Sequence, residues 1–208
     1  MSKQYFDNQP QVDHQIRWLD YRLGDASLKL QTDAGVFSKG AIDFGSRLLV
    51  ETFVQTHQDQ GQEPRHILEL GSGYGPILLM LAQHFSTSHG LGVEVNERAY
   101  HLAVQNAKDN GLGDRVNFVL GDAREVLVKK DYDHVVTNPP IRAGKQVVQA
   151  FIGLAFDHLR PEGSLYVVIQ KKQGAPSLEK FMGQVFGNVE KLTQDKGYWI
   201  LRAIKDTR

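Results

Sequence analysis

Apolar and polar positions alternate along this chain with two different periods. Short apolar runs predict strands, and the stretches between them have the spacing of amphipathic helices. The predicted strands are His66–Leu70, Leu91–Val95, Val116–Leu120, His134–Thr137 and Ser164–Ile169. The predicted helices are Pro76–His84, Glu97–Asn110 and Gly144–Leu159. This alternation predicts right-handed crossovers and a parallel sheet, with ligands at the carboxyl ends of its strands.

The two ends of the chain follow a different pattern. Val189–Thr193 and Tyr198–Ile204 predict two strands joined by a tight turn, so an antiparallel hairpin should complete the sheet. Near the N-terminus, Ile16–Leu23 and Ser27–Leu30 predict another hairpin. That hairpin would pack on the outside of the domain or cover the mouth of a ligand site.

The whole chain is expected to form one α/β domain. Residues 1–40 would be a hairpin extension and residues 41–208 the Rossmann-like core. Asp43 is a suitable N-cap for a predicted helix from Phe44 to about Gln55. The polar run Gln55–Pro64 would end this helix and form a loop.

Composition excludes several classes of protein. The chain has 208 residues, enough for one full core, and contains no cysteine, which excludes disulfides and thiolate metal sites. Its 24 basic and 24 acidic side chains argue against coating nucleic acid by charge alone. The N-terminus is polar, and no apolar stretch approaches the roughly 20 residues of a membrane span. These properties predict a cytoplasmic protein with no membrane association.

A glycine-rich segment follows the first predicted strand of the core. Gly71, Gly73 and Gly75 allow close approach of a ligand and positive φ angles, although a tight turn without a ligand has the same pattern. The segment differs from G-x-G-x-x-G because Pro76 occupies the sixth position and lacks an N–H for a pyrophosphate. Glu69 would suit a cationic ligand, such as the amino-acid end of S-adenosylmethionine.

Two acidic residues stand at the ends of the next strands. Glu94 can accept both hydroxyls of a ribose, or it only caps the helix that starts near Glu97. Asp122 can accept an adenine amino group, while the backbone N–H of Ala123 reaches a ring nitrogen. Alternatively, Asp122 is a helix N-cap.

The sequence Asn138-Pro139-Pro140 ends the fourth predicted strand. The prolines fix the backbone and donate no hydrogen bond, so the carbonyls of Asn138 and Pro139 and the Asn138 amide oxygen are expected to be free acceptors. Bonds to both protons of a planar exocyclic amine would pull it toward a pyramidal shape. Its lone pair would then point at a sulfonium methyl, and catalysis would need alignment and electrostatics without a metal. The alternative is a loop that simply ends a strand.

Six segments of the chain carry a family resemblance: Asp33–Ser38, Asp43–Ser46, Leu68–Gly75, Glu94–Arg98, Gly121-Asp122 and Asn138–Lys145. Through them the chain resembles the class I S-adenosylmethionine-dependent methyltransferases of the Asn-Pro-Pro type. Within that group it is similar to small single-domain relatives of the 16S ribosomal RNA guanine-N2 methyltransferases. The resemblance implies a Rossmann-like α/β fold with a seven-stranded, mostly parallel sheet, an antiparallel last strand and S-adenosylmethionine as cofactor.

The resemblance also implies roles for individual residues. The reacting loop is Asn138, Pro139 and Pro140, with Asn138 holding the target amine beside the cofactor. Glu69, Gly71 and Gly73 would line the methionine part of the cofactor, and Glu94 would bind its ribose. Asp122 and Ala123 would bind the adenine. Phe37 and Asp43 would belong to the segment that closes over the cofactor.

Two departures from the family pattern concern the substrate. Ile141 and Arg142 stand where adenine-N6 and glutamine-N5 relatives usually carry an aromatic, and where the larger guanine enzymes tend to have Phe followed by His. Ile141 packs on a flat ring but stacks less well. The larger enzymes also carry an N-terminal pseudo-domain that is not found here. Docking is therefore expected from this domain alone, from a homodimer or from a partner.

Basic residues converge on the predicted mouth of the site: Lys39, Arg47, Arg142, Lys145, Lys171 and Lys172. They would grip phosphates of structured RNA, although each alone is also explained as a solvated surface charge. Ile141, Arg142, Lys145 and Lys171 are the expected substrate contacts. The first functional hypothesis is methylation of guanine N2 in ribosomal RNA or the small ribosomal subunit. The others are N-methylation of a protein glutamine or small molecule, and an inactive binding module.

Overall fold

The computed structural model describes residues 13–61, 63–126, 129 and 131–207. Residues 1–12 of the predicted N-terminal extension lie outside this part. The strands are β1 (Arg17–Leu23), β2 (Ala26–Thr32), β3 (His66–Leu70), β4 (His89–Glu94), β5 (Val116–Leu120), β6 (Tyr132–Thr137), β7 (Leu159–Gln170), β8 (Glu190–Asp195) and β9 (Tyr198–Ile204). The helices are α1 (Phe44–Gln60), α2 (Pro76–His84), α3 (Glu97–Asp109), α4 (Lys145–His158) and α5 (Ala175–Phe186).

The main sheet has seven strands in the order β5-β4-β3-β6-β7-β9-β8. The five strands from β3 to β7 are mutually parallel, and β9 runs antiparallel to both of its neighbours, β7 and β8. Strand order therefore reverses beside β3, and the polar loops after β3, β4 and β6 meet at one edge of the sheet. The predicted Rossmann-like fold with an antiparallel last strand is confirmed.

Helices cover both faces of this sheet. One core contains Phe53 of α1, Leu79 of α2 and Ala103 of α3, and the other contains Ile152 of α4 and Met182 of α5. The central strands are buried on both sides, which explains why they read as continuous apolar runs. The helices pack on the two faces of the sheet and not on the edge formed by the carboxyl ends of its strands.

The predicted N-terminal hairpin is formed by β1 and β2, which make a separate antiparallel sheet. It packs on the outside of α2 and α3. The side chain of Asn106 takes the place of a neighbouring strand, because it accepts from the Gln31 N–H at 2.7 Å and donates to the Gln31 carbonyl at 2.9 Å. One helical turn later, Asn110 makes the same pair of bonds to Lys29, both at 3.0 Å.

Helix α1 extends five residues beyond its predicted end at Gln55. The polar run contains His57, which faces the core and stacks on Phe53 with ring centroids 4.1 Å apart. The helix stops only at Gly61, which adopts the left-handed conformation that commonly ends helices. Asp43 is the N-cap of α1, as predicted.

Helix α5 has no counterpart among the predicted elements. It starts after Gly174 and has Pro176 in its first turn, where proline is tolerated because the N–H has no partner within the helix. No helix within the described part of the chain is long and apolar enough to cross a bilayer.

Candidate functional site

A cavity of about 660 Å3 opens at the carboxyl edge of the main sheet. This volume lies within the roughly 300–1,000 Å3 range of small-molecule sites. The predicted site residues that line it are Phe37, Asp43, Glu69, Gly71, Gly73, Glu94, Asp122, Ala123, Asn138, Pro139, Pro140, Ile141 and Arg142. Lys145 and Lys171 are not part of its lining.

Three N–H groups of the glycine loop between β3 and α2 donate to residues at the end of β4. The Gly71 N–H donates to the Val93 carbonyl at 2.9 Å, and the Ser72 N–H donates to the same oxygen. The Gly73 N–H donates to the Glu94 carboxylate at 2.7 Å. Gly71 and Gly73 have φ angles of 76° and 55°, and such positive angles explain why glycine occupies both positions. A loop whose donors are already occupied does not form a pyrophosphate cradle, in agreement with the sequence argument.

Glu69 lies at the end of β3 and is almost fully buried. Its carboxylate accepts from the Leu78 N–H at 3.2 Å, and Leu78 belongs to the first turn of α2. Burial raises the pKa of Glu69 well above its usual range, the Leu78 N–H opposes this, and the Glu94 carboxyl raises it further. A cationic ligand in the cavity would stabilise the ionised form of Glu69.

Glu94 is buried at the end of β4, and its two oxygens accept from the N–H groups of Gly73 and Asn96 at 2.7 and 2.8 Å. Burial raises the pKa of this carboxyl, and hydrogen bonds from the N–H groups of Asn96, Gly73 and Val95 lower it. The N-cap of α3 is Asn96, whose side chain accepts from the Ala99 N–H. The alternative of Glu94 as the helix cap is therefore wrong. A carboxylate has about four lone-pair sites, so these three N–H groups leave one for a ligand hydroxyl.

Asp122 lies in a turn after β5. Its carboxylate accepts from the Arg124 N–H at 2.9 Å and forms an ion pair with the Arg124 guanidinium. The hydrogen bond from that guanidinium is the main cause that lowers the pKa of Asp122. The Val126 N–H donates to the Asp122 carbonyl, so Asp122 has the hydrogen bonds of an N-cap for one helical turn, as the alternative predicts. Asp122 stays ionised, and Ala123 lies beside it in the cavity lining.

Asn138 is held by residues that lie far away in the sequence. Its Nδ2 donates to the Asp43 carboxylate and to the Ser46 hydroxyl, both at 3.0 Å. A carboxylate only accepts, so this nitrogen must face Asp43 and the amide oxygen must point the other way. The amide oxygen is therefore available as an acceptor for a ligand in the cavity.

The proline loop corrects one prediction. The Pro139 carbonyl accepts from the Ile141 N–H at 2.8 Å, so it is not a free acceptor. Pro140 has φ −73° and ψ 80°, which is an inverse γ-turn, and that turn closes this hydrogen bond. One lone pair of the Pro139 carbonyl remains, and Asn138 supplies the main side-chain acceptor.

Aromatic side chains line the cavity even though the proline loop carries none. Phe37 is 52% exposed at the mouth, and Tyr198 enters the lining from β9. Ile141 packs partly against the core formed by α4 and α5. Sequence reasoning missed Tyr198, Ser46, Gln170 and Gln173 as lining residues, because their proximity to the loop depends on contacts between distant segments.

The six predicted basic residues are all exposed: Lys39, Arg47, Arg142, Lys145, Lys171 and Lys172. None of them forms an ion pair with a carboxylate of the described residues. Arg142 lines the cavity itself, and Lys171 lies between the lining residues Gln170 and Gln173. A ligand in the cavity would therefore contact Arg142, with Lys171 close by.

S-adenosylmethionine fits this set of residues. Glu69 offers a buried carboxylate for its ammonium group and Glu94 offers an acceptor for the ribose, whereas both carboxylate oxygens of Asp122 accept from Arg124, which an adenine amino group would have to displace. The N–H groups of the glycine loop that are already hydrogen-bonded do not require a phosphate as a partner. A Cβ added at Gly73 would meet no protein atom within 4 Å, so this glycine faces the open space of the cavity.

Comparison with known proteins gives a consistent picture. The family model of the methyltransferase small domain matches residues 27–202. The uncharacterised protein YbxB of Bacillus subtilis (strain 168) is 38% identical over 205 residues, which cover 99% of this chain and 100% of that protein. Ribosomal RNA small subunit methyltransferase C of Sodalis glossinidius (strain morsitans) is 30% identical and is matched over 96% of this chain and 54% of its own length.

Among solved structures, the T. thermophilus 16S rRNA N2 methyltransferase RsmC in complex with AdoMet and guanosine is similar, with a TM-score of 0.81. The two sequences are 29% identical, and the match covers 91% of this chain and 50% of that chain. The chain thus spans about half the length of the RsmC relatives that it matches.

Proposed function

The chain belongs to the methyltransferase small domain family of S-adenosylmethionine-dependent enzymes, and on that premise we propose that it methylates the exocyclic N2 of a guanine in ribosomal RNA. The observation that carries the proposal is the fixed amide of Asn138. Its nitrogen is anchored by Asp43 and Ser46, which leaves its oxygen as an acceptor for an amine in the cavity.

The chemistry requires alignment more than acid–base groups. The transfer forms an N–C bond at the exocyclic nitrogen and breaks a C–S bond of the sulfonium donor, whose electron pair stays on sulfur. One amine proton is lost to water after the N–C bond forms. S-adenosylmethionine supplies an activated methyl group, so the task of Asn138 and Pro139 is to hold the amine with its lone pair in line.

Two features support RNA as the substrate. The exposed basic residues beside the cavity, Arg142, Lys145 and Lys171, offer contacts for phosphates next to a base that has been turned out of its stack. In addition, two of the similar proteins are named as ribosomal RNA methyltransferases. The predicted cytoplasmic location and homodimer stay predictions.

The test is transfer of labelled methyl groups from S-adenosylmethionine into a cell extract by the purified chain. Label is expected in ribosomal RNA, and mass spectrometry of the digested nucleosides should identify N2-methylguanosine. Comparison of ribosomal RNA from cells with and without the gene would locate the nucleotide.

Each other outcome contradicts the proposal in a distinct way. Label in protein would indicate a glutamine or another protein substrate. Label in a different nucleoside would mean that RNA is the substrate but that guanine N2 is not the methylated atom. Cofactor binding without any transfer would indicate an inactive relative.

A further inference from the structure

Gln170 is the last residue of β7 and lines the cavity next to the proline loop. In the pairing of β6 with β7, Val136 lies opposite Tyr166. Side chains alternate along a strand, so Asn138 and Gln170 lie on the same face as this pair. Gln170 therefore extends beyond Asn138 on the side of the sheet that α1 covers.

The amide oxygen of Gln170 is buried and accepts no hydrogen bond from any described residue. Buried acceptors of this kind are uncommon, because the lost hydration costs roughly 1–3 kcal/mol when no donor replaces it. Because Gln170 is part of the cavity wall, this oxygen gains a partner when the side chain turns toward a ligand that brings an N–H group.

Tyr198 lies directly opposite Gln170 in the pairing of β7 with β9 and lines the same cavity. Its ring lies against the first turn of α1, where a Cβ on Gly45 would come within 2.7 Å of the ring. The same Cβ would be 3.0 Å from the Asp43 carboxylate that anchors Asn138. Gln170, Tyr198 and the Asn138 anchor therefore form one wall of the cavity.

We propose that Gln170 reads the edge of the target guanine, with its amide oxygen accepting the ring N1–H while Asn138 holds the N2 amine. The inference rests on the proposed function. In guanine the ring atom between the amine-bearing carbon and the carbonyl carries a hydrogen. The ring nitrogens next to the amines of adenine and cytosine carry none, so a fixed acceptor at this place selects guanine. The amide nitrogen of Gln170 can donate to O6 at the same time.

The experiment compares two RNA oligonucleotides that carry the mapped target as guanosine or as 2-aminopurine. Both bases have the amine at C2, but 2-aminopurine lacks the N1 hydrogen and O6. Wild-type protein should methylate the guanosine RNA about 10- to 100-fold faster, the discrimination expected for a bidentate base contact. Gln170→Leu should lose that advantage and methylate 2-aminopurine RNA at the wild-type rate. Gln105→Leu, on the exposed side of α3, is the matched control and should behave as wild type.

The outcomes separate this inference from the proposed function. If wild-type protein methylates neither RNA, the proposed function is wrong. If it methylates both equally, or if Gln170→Leu keeps the preference for guanosine, Gln170 does not read the base although the enzyme still acts on N2. A Gln170→Leu variant that is slowed equally on both RNAs would assign the residue to structure alone.

Discussion

Single side chains at this site support the fold and line the cavity at the same time. Glu94 accepts hydrogen bonds from Gly73 and Asn96 and also lines the cavity. Asp43 caps α1 and also anchors the amide of Asn138. A substitution at such a residue affects local order as well as chemistry, so its effects on cofactor affinity and on methyl transfer must be measured separately.

Asn138→Ala is expected to retain S-adenosylmethionine affinity and to lose methyl transfer by 10²-fold or more. The reason is that the acceptor for the amine is removed, and loss of one oriented group in comparable sites costs about 3 kcal/mol. Single-turnover rates and calorimetric cofactor binding would measure the two effects. Asn117→Ala, on the exposed side of β5, is the control. Near-normal turnover of Asn138→Ala would refute the role assigned to this residue.

Glu94→Ala should have the opposite profile. The ribose loses its acceptors and the Gly73 N–H loses its partner, so cofactor affinity should fall at least 10-fold, or about 1.4 kcal/mol. Calorimetric titration of S-adenosylmethionine into the folded variant would measure it. Unchanged affinity would limit Glu94 to the support of the glycine loop.

The N-terminal hairpin is attached to the core through hydrogen bonds from a helix. Asn106 is fully buried and bonds the backbone of Gln31 and the carbonyl of Tyr74, so it joins β2, α3 and the glycine loop. Asn110, one turn later, makes comparable bonds to Lys29 in an exposed position. The two asparagines differ in burial, and burial decides the energetic cost of losing them.

Asn106→Ala is expected to lower the free energy of unfolding by about 3 kcal/mol, because it leaves buried backbone groups without partners. Asn110→Ala should cost about 1 kcal/mol or less, since water replaces the lost bonds. Urea denaturation of both variants tests the difference. Equal effects would mean that the hairpin does not depend on the buried bonds.

A histidine pair joins α1 to the centre of the main sheet. His57 Nδ1 donates to the Phe53 carbonyl at 2.7 Å, so its Nε2 must accept from His134 Nε2 at 3.1 Å. His134 Nδ1 then accepts from the Ser164 hydroxyl at 2.8 Å. Both rings are neutral in this arrangement. Burial lowers the pKa of His57, and burial together with His57 lowers the pKa of His134 to about 3.

This pair predicts that stability falls in acid. Below pH about 6.5 the histidines of the unfolded chain bind protons, whereas those of the folded chain stay neutral. The contribution of the pair to the free energy of unfolding is therefore fully present above that pH and is lost as the pH falls toward 3. The slope is about 1.4 kcal/mol per pH unit for each proton. His134→Gln should flatten the dependence of unfolding free energy on pH between 7 and 5, whereas His101→Gln, on an exposed histidine, should not. A His134→Gln slope equal to that of wild type would contradict the proposed neutral pair.

Much of the backbone follows from short segments. The bounds of β3, α2 and β5 coincide with the predicted ones, because apolar runs and turn residues govern these elements locally. The signals for α5 were also local, namely Gly174 and Pro176. The glycine loop and the proline loop identified the edge of the sheet where the cavity lies, since carboxyl ends of parallel strands meet there.

The details of the site depend on contacts between distant segments. Ser46 and Asn138 are separated by 92 positions, and no pattern in either segment indicates that they meet. Gln170 reaches the cavity because β7 pairs with β6, and Tyr198 reaches it because β9 pairs with β7. Short-range patterns specify backbone conformation and which face is buried, whereas strand order and register determine which side chains converge. For this reason the glycine-rich cofactor loop can be predicted from the sequence alone. The side chains that line the rest of the cavity can be identified only in the folded chain.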